Sequence, residues 1–396
     1  MPKLARSDQL LNRLIAIGER GIWRLLPINY MLRLHFPHFA SVKFMSLAKK
    51  LVASQLANLE PYQSARRIGG VGQSYLNANE SPFPAFAMAA GETWNRYPDF
   101  LPTELAHRYA AYAGVEHTRV VAVRGADEGI DLLVRAFCEA NKDTIRIQTP
   151  TYSMYEFVAK AHQVAVDRVP LNEEFGLDLT ANLVDQDQLK LVFLCHPNNP
   201  TGNPLALDSI LAIAKKFQDS AFVVVDEAYI EFCSEHSLAQ LLDTYPNIII
   251  LRTLSKAFAL AAVRLGFIIA HESVIAVVNT LIAPYPIPDP SAQIGLTALS
   301  KEGLAYMHKH KDQTIKLREE YAALFANVRC VKKVYPSVTN FILLEFADSK
   351  AVFTALRVQG IILRDQNHIP RLHNHLRVSI GSSAEMRSLY TALQGL

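Results

Sequence analysis

Residues 253–266 read Thr253-Leu254-Ser255-Lys256-Ala257-Phe258-Ala259-Leu260-Ala261-Ala262-Val263-Arg264-Leu265-Gly266. The preceding run, residues 247–252, is apolar and β-branched, so Lys256 lies just after a predicted strand. Burial at such a place lowers the pKa of a lysine, which suits an amine that attacks a carbonyl. Ser255 and Arg264 add a hydroxyl and a permanent charge that could hold a phosphate. In isolation, the pattern more often marks a lysine whose ammonium covers a strand end in water.

Two further predicted strands end in polar side chains. Residues 222–226 form an apolar run that ends in Asp226, and residues 191–195 form another, followed by a polar turn that contains Asn199. In an α/β sheet, ligands bind beyond the carboxyl ends of such strands. Pyridoxal phosphate requires a lysine, an acid for its ring nitrogen and donors for its ring oxygen. The three strand ends together therefore favour a site for this cofactor.

Short motifs in a fixed order carry a resemblance to a family. Asn-Pro-Thr-Gly at 199–202, Asp-Glu-Ala-Tyr at 226–229 and Ser-Lys-Ala-Phe at 255–258 resemble fold-type I pyridoxal-phosphate aminotransferases. Arg264, eight residues after Lys256, fits the same pattern. Segments 61–67, 76–80, 124–129 and 362–367 are similar to the bacterial histidinol-phosphate aminotransferases, and the likeness runs from about residue 45 to the C-terminus. The resemblance implies an α/β fold with a large, mainly parallel sheet flanked by helices and a smaller α+β C-terminal domain.

The resemblance also implies a role for each residue around the cofactor. Lys256 would bind pyridoxal 5'-phosphate covalently, Asp226 would pair with the ring nitrogen and Tyr229 with the ring oxygen; these are the implied catalytic residues. Residues 120–124 predict a strand, and residues 125–129 predict a turn into a helix whose first backbone N–H groups favour an anion. The implied cofactor contacts are Lys256, Ala126, Asp127, Tyr152, Asn199, Asp226, Tyr229, Ser255, Arg264 and Tyr97.

The implied substrate contacts are Tyr62, Asn199, Arg364 and Arg377. Taken alone, a tyrosine after a proline or an arginine at a strand end is usually a surface residue. Tyr97 could simply pack beside a proline, and a tyrosine at a strand end, such as Tyr152, is more often a packing residue. A planar guanidinium binds phosphate or carboxylate in bidentate fashion, so one arginine site could serve two different anionic substrates. The resemblance further implies a homodimer in which Tyr97 reaches the cofactor phosphate of the neighbouring subunit.

The activity implied by the resemblance is transamination in histidine biosynthesis. Histidinol phosphate and 2-oxoglutarate would yield imidazole-acetol phosphate and glutamate. An aromatic amino acid aminotransferase and a threonine-phosphate decarboxylase share the chemistry and stay open as alternatives. A regulator that binds the cofactor without catalysis is a more distant alternative, because every catalytic group of the family is present.

Composition excludes several other classes of protein. The chain has 396 residues, of which 50% are hydrophobic and 19% charged, as in ordinary globular enzymes. A net charge of +3 gives no case for nucleic-acid binding, and the absence of a long uncharged apolar run predicts no membrane span. The four cysteines are scattered, which predicts a reducing cytoplasm and neither a disulfide framework nor a metal site.

The chain divides into four predicted parts. Residues 1–44 are a basic N-terminal extension of uncertain status: a targeting segment, a membrane-surface helix, or a segment absent from the mature protein. Residues 45–75 form an arm, helical through Leu59 and ended by Pro61. Residues 76–290 form the large cofactor-binding domain, and residues 291–396 form the small C-terminal domain.

Secondary structure is predicted for the segments that place the motifs. Alternation of strands and helices through the large domain is typical of a mainly parallel sheet. A long helical stretch, residues 291–326, leads into the small domain. The further predicted strands are 144–148, 267–270, 339–346, 361–363 and 376–380.

Overall fold

The computed structural model describes residues 46–64, 76–84 and 94–396. The predictions for residues 1–44 lie outside the described residues, as does the C-terminal part of the predicted arm, residues 65–75. Residues 46–396 belong to one compact unit.

A seven-stranded sheet forms the centre of the larger part of the chain. Its strand order is β1-β7-β6-β5-β4-β2-β3. Adjacent strands from β3 across to β6 are parallel, whereas β7 runs antiparallel to both β6 and β1. The predicted mainly parallel sheet is thus confirmed. The strands are β1 (Val120–Val123), β2 (Thr144–Thr149), β3 (Ala165–Pro170), β4 (Leu189–Cys195), β5 (Phe222–Asp226), β6 (Ile248–Thr253) and β7 (Gly266–Ala270).

Helices cover both faces of this sheet. Alternate residues of β4 enter two different hydrophobic clusters: Val192 and Leu194 face one side, and Leu191 and Phe193 face the other. A strand buried on both faces reads as a continuous apolar run, which explains why these strands were predictable. The helices around the sheet are α1 (Leu47–Leu51), α2 (Thr103–Ala113), α3 (Ala126–Phe137), α4 (Met154–Ala161), α5 (Leu179–Asn182), α6 (Leu207–Lys216), α7 (Glu272–Leu281) and α8 (Asp289–Ala298).

Short 3₁₀ helices occupy several of the connections. They span Ser54–Leu56, His117–Arg119, Ile230–Phe232, Ser234–His236, Ala239–Leu241 and Ala261–Val263. The predicted helical arm is shorter than expected, because the backbone of Val52 leaves the helical region with φ −54° and ψ 136°. Helix α1 therefore ends at Leu51, well before Pro61, and a 3₁₀ turn follows it.

The C-terminal part of the chain builds a second, antiparallel sheet. Its strand order is β10-β11-β9-β8, and helices pack against it around their own hydrophobic cluster. This arrangement confirms the predicted smaller α+β part. Its elements are α9 (Lys301–Phe325), β8 (Val331–Val334), β9 (Phe341–Phe346), α10 (Ser349–Val358), β10 (Arg364–Asp365), β11 (His375–Ser379) and α11 (Ser383–Gln394).

Two predictions for this part were wrong in detail. The single long helix expected over residues 291–326 is two helices, because the Ser300 hydroxyl accepts a hydrogen bond from the Gly303 N–H and starts α9 anew. The strand expected at residues 361–363 lies instead at Arg364–Asp365, where the backbone pairs with β11.

No helix within the described ranges is long and apolar enough to cross a membrane.

Candidate active site

The carboxyl ends of three neighbouring parallel strands bring the predicted residues together. Strands β4, β5 and β6 lie side by side, and Cys195, Asp226 and Leu251 share one level of the sheet. The turns that follow carry Asn199 and Lys256 into the same cavity, which has a volume of about 350 Å³. Eleven predicted site residues line it: Ala126, Asp127, Tyr152, Asn199, Asp226, Tyr229, Ser255, Lys256, Arg264, Arg364 and Arg377.

Asp226 is the buried acid of this cavity. The Tyr155 hydroxyl donates to its Oδ2 at 2.7 Å, and the Ala228 backbone N–H donates to its Oδ1 at 3.1 Å. Burial raises the pKa of Asp226 to about 6, against the opposing effect of these two hydrogen bonds and of Lys256. The carboxylate is thus fixed in orientation and remains ionised at neutral pH.

Lys256 lies half-buried after β6. Its Nζ is 5.7 Å from the centre of the Tyr229 ring. Burial lowers the pKa of Lys256, and the positive charge of Arg377 lowers it further, while Asp127 and Asp226 oppose this shift. A lysine in this environment gives up its proton more readily than one in water, which is a requirement for a nucleophilic amine.

One corner of the cavity has the chemistry of an anion site. Helix α3 begins there, and its N-cap Gly125 provides no side-chain hydrogen bond to the first turn. Arg264 extends over this turn, with Nη1 3.5 Å from Ser255 Oγ and Nη2 3.4 Å from Asp127 Oδ2. Backbone N–H groups at a helix start, a hydroxyl and a guanidinium together match a phosphate group.

Two glycines allow the parts of this corner to approach. Gly125 has φ +81°, and a side chain there would meet Arg264 Nη2 at 2.7 Å. A Cβ on Gly266, at the start of β7, would lie 2.6 Å from the Gly125 carbonyl carbon and 2.7 Å from the Ala126 nitrogen. Glycine at both positions therefore lets α3 begin directly against the sheet.

The opposite wall of the cavity is basic. Arg364 and Arg377 are direct partners in the β10–β11 ladder. Arg377 Nη1 donates to the side-chain oxygen of Asn199, and the guanidinium lies 5.1 Å from the centre of the Phe341 ring. Its Nε is buried and has no hydrogen-bond partner within the described part of the chain. Such a wall favours an anion, which would offset the burial of the guanidinium charge.

The two remaining predicted residues lie outside the cavity lining. Tyr62 and Tyr97 are exposed, with 64% and 50% of their surfaces accessible. The Tyr97 ring stacks on Tyr285, with centroids 4.5 Å apart, and its backbone N–H donates to Glu80. Neither tyrosine is among the described residues that line the cavity.

Several lining residues were not anticipated from the sequence. Gln366, His368 and Ile369 follow β10 and reach the cavity because the chain turns back there toward β11. A segment of mixed composition gives no periodicity that would have indicated this. Tyr155, the donor to Asp226, lies in the first turn of α4, whereas Tyr152 precedes that helix, so no sequence spacing linked the two residues.

The described ranges 46–64, 76–84 and 94–396 contain no group of three His, Cys, Asp or Glu side chains that could hold a metal ion.

Comparison with known proteins relates this geometry to a family. The family model described as aminotransferase class I and II matches residues 70–393. The histidinol-phosphate aminotransferase of Aeromonas hydrophila is 47% identical over 351 residues, which cover 89% of this chain and 98% of that protein. The enzyme of the same name from Shigella sonnei is 45% identical over 87% of this chain and 97% of its own length.

A solved structure agrees in fold. The histidinol-phosphate aminotransferase of Sinorhizobium meliloti, in complex with pyridoxal-5'-phosphate, has a TM-score of 0.71 to this chain. It is 24% identical, and the match covers 77% of this chain and 84% of that one. The chain therefore belongs to the aminotransferases of class I and II, and within them to the histidinol-phosphate aminotransferase family.

Proposed function

We propose that this chain transfers the amino group of L-histidinol phosphate to 2-oxoglutarate, giving imidazole-acetol phosphate and L-glutamate in histidine biosynthesis. The relatives of that name support the proposal, since they match nearly the whole described chain at 44–47% identity. The observation that carries it is a single cavity that is lined by Lys256, a buried acid and a pair of arginines.

The residues present fit pyridoxal 5'-phosphate. The first turn of α3 has no side-chain cap, so the backbone N–H groups of Ala126 and Asp127 are suited to its phosphate, beside Ser255 and Arg264. Asp226 would pair with the cofactor's ring nitrogen. Tyr152 would contact the ring face, and Asn199 and Tyr229 would donate to the ring oxygen.

Lys256 would be both the covalent anchor and the proton carrier of the reaction. When bound, pyridoxal phosphate accepts the electron pair that the substrate carbon releases on losing its proton. The lowered pKa of Lys256 lets its amine take that proton from the substrate Cα and return it as an acid. Asp226, ionised at neutral pH, would keep the ring nitrogen protonated, which would favour the loss of the Cα proton.

The basic wall would bind the anionic end of both substrates. Histidinol phosphate carries a phosphate ester where glutamate carries a carboxylate, and a guanidinium binds either in bidentate fashion. Arg377 is held toward the cavity by its bond to Asn199, and Arg364 stands next to it on the neighbouring strand. One site can therefore serve both halves of the reaction.

The two exposed tyrosines support a homodimer as the active form. Tyr97 and Tyr62 are exposed on the described chain, although the resemblance gives them cofactor and substrate contacts. We propose that each completes the cavity of a second copy of this chain.

We also propose that the enzyme works in the cytoplasm, since all four cysteines are free and burial raises the pKa of the Cys195 thiol to about 12.

The test of the substrate is a single half-reaction. Purified protein loaded with pyridoxal phosphate is mixed with histidinol phosphate alone, and the absorbance of the bound cofactor is followed. Phenylalanine and threonine phosphate are run in parallel. Fast conversion to the aminated cofactor with histidinol phosphate alone is expected. Equal conversion with phenylalanine would identify an aromatic aminotransferase, and carbon dioxide release from threonine phosphate would identify a decarboxylase.

A further inference from the structure

Tyr155 contacts two residues that line the cavity, Asp226 and Tyr152, without lining the cavity itself. It lies in the first turn of α4 and is fully buried. Its hydroxyl donates to Asp226 Oδ2 at 2.7 Å. Its ring stacks on Phe193 of β4, with centroids 4.9 Å apart at 15°, and meets the Tyr152 ring edge-on at 5.7 Å and 85°. One side chain thus contacts both the buried acid and the tyrosine suited to the cofactor ring face.

The hydroxyl of Tyr155 also affects the charge of the acid. Among the contacts that favour the ionised form of Asp226, the Tyr155 hydrogen bond lowers its pKa most, ahead of the Ala228 N–H. Burial and the neighbouring Asp226 raise the pKa of Tyr155 well above its usual value. Tyr155 therefore stays protonated and remains a donor throughout the physiological pH range.

The geometry leaves the acid able to make one further bond toward the cavity. Each oxygen of Asp226 already accepts one hydrogen bond, Oδ2 from Tyr155 and Oδ1 from Ala228. A carboxylate oxygen has a second lone pair, so a donor in the cavity can still be bound. Because the two protein donors fix the plane of the carboxylate, the direction of this remaining bond is fixed as well.

We propose that Tyr155 is a positioning residue of the reaction: it orients and keeps ionised the acid that pairs with the cofactor ring nitrogen, and it supports Tyr152 against the ring face. The inference rests on the proposed function in assigning the ring nitrogen to Asp226. It adds a residue that does not contact the cofactor and acts through two residues that do.

Tyr155→Phe separates the contribution of the hydroxyl from that of the ring, since it keeps the stacked ring and removes the hydrogen-bond donor. A hydrogen bond to a charged group typically corresponds to a factor of roughly 10 to 100 in binding. We therefore expect the affinity of the variant for pyridoxal phosphate to be lower by a factor of about ten or more. We also expect the pH-dependent change in the absorbance of the bound cofactor to move to higher pH. Loss of the ring-nitrogen proton removes a positive charge that repels the proton on the Lys256 nitrogen.

Two further variants exclude a merely structural effect. Tyr109→Phe removes a hydroxyl from another fully buried tyrosine, which stacks on Phe267 at 3.6 Å and lies outside the cavity. It should leave cofactor affinity and the absorbance titration unchanged. Asp226→Ala removes the residue through which the Tyr155 hydroxyl acts, so adding Tyr155→Phe to it should change both readouts by less than twofold. Circular dichroism of each variant checks that the fold is retained.

The outcomes distinguish this inference from the proposed function. If Tyr155→Phe matches Tyr109→Phe in both readouts, or has its full effect in the Asp226→Ala background, Tyr155 is not a positioning residue. Neither readout involves an amino donor. A wild-type protein that binds the cofactor but does not convert histidinol phosphate would therefore overturn the proposed substrate alone, and the Tyr155 comparison would still be decided.

Discussion

Burial shifts three charged residues of the cavity toward their neutral forms. Burial raises the pKa of Asp226 and lowers the pKa of Lys256 and Arg377. An anionic ligand at the arginine wall and a protonated ring nitrogen at the acid would each restore the charge that burial disfavours. At the scale of single residues, the cavity is therefore built to bind groups of complementary charge.

Glu231 is a second buried acid, two residues after Tyr229, and it lies outside the cavity lining. Its carboxyl oxygens have no side-chain hydrogen-bond partner within the described residues. Burial raises the pKa of Glu231 to about 7, with Arg252 and Lys311 opposing and Glu227 adding to the shift. An isolated buried carboxyl is tolerated when it is protonated and is costly once it ionises.

Glu231→Gln should therefore change how stability depends on pH. The folded-state pKa of Glu231 is higher than its unfolded value, so folding retains a proton that the unfolded chain releases. Its contribution to the free energy of unfolding is largest below the unfolded value near 4.5 and falls as pH rises toward 7. Relative to wild type, the variant should gain about 2 kcal/mol between pH 5 and pH 8.

Urea unfolding at the two pH values measures this difference. Glu320→Gln, on the exposed surface of α9, serves as the matched control and should show no gain. An equal pH dependence in wild type and Glu231→Gln would show that Glu231 is ionised in the folded protein.

At the scale of elements, the anion corner depends on contact between the start of α3 and the start of β7. Gly266 has room for no side chain, because a Cβ would lie 2.7 Å from the Ala126 nitrogen. The first turn of α3 is thereby held beside Ser255 and Arg264. Any substitution that separates α3 from β7 would move its backbone N–H groups away from these two side chains.

Gly266→Ala should weaken cofactor binding in addition to lowering stability. The added methyl pushes against backbone atoms that cannot move independently, so the α3 turn must shift. Loss of one charged hydrogen bond to the phosphate would reduce affinity for pyridoxal phosphate by roughly tenfold or more. Fluorescence titration of the cofactor-free protein measures this affinity.

Gly129→Ala, in helix α3, provides the control for Gly266→Ala. Its methyl would meet a Leu251 side-chain carbon at 2.8 Å, so it also overpacks the core, but one turn away from the anion corner. Both variants should lose stability, on the order of 1–3 kcal/mol. If they lost cofactor affinity equally, the close contact at Gly266 would have no specific role in the anion corner.

Elements were predictable where burial on both faces produced long apolar runs, as in β4, β5 and β6. The site residues predicted with them follow strand ends, and parallel pairing places such ends together. Strand β3 was missed, because this edge strand, Ala165–Pro170, carries two charges and is buried at one residue only. Tyr155 was missed as a site residue, since its role depends on which side of α4 faces β5.

At the scale of the whole molecule, the cavity lies where the two sheets meet. The contacts between them include the following three. Arg377 bonds to Asn199, and the Val338 N–H donates to the Gly202 carbonyl at 2.9 Å. The third is the loop 366–374, which follows β10 and inserts Leu372 into the core against the seven-stranded sheet. No sequence pattern indicated these contacts, because each joins segments more than a hundred residues apart.

Arg371 holds this loop in place. Its guanidinium donates to the backbone carbonyls of Leu171 and Asn172, the latter at 2.9 Å, and lies 5.5 Å from the centre of the Phe175 ring. These groups belong to the turn after β3, which is itself ordered by two hydrogen bonds to the Asn172 side chain. The same loop contributes Gln366, His368 and Ile369 to the cavity. Arg371 therefore ties the loop that forms this part of the lining to the turn after β3.

Arg371→Ala should raise the KM for histidinol phosphate about fivefold and leave the affinity for pyridoxal phosphate unchanged. The partly exposed contacts contribute about 1 kcal/mol to holding the loop, and the residues proposed to bind the cofactor lie on other elements. Proteolysis between residues 366 and 374 should become faster, because the loop opens more often. Arg357→Ala, on the exposed side of α10, is the matched control and should change neither quantity. If Arg371→Ala kept both the wild-type KM and the wild-type cleavage rate, Leu372 alone would hold the loop. Partial recovery of both quantities in Arg371→Lys would instead attribute the position of the loop to the hydrogen bonds with the backbone carbonyls of the turn after β3.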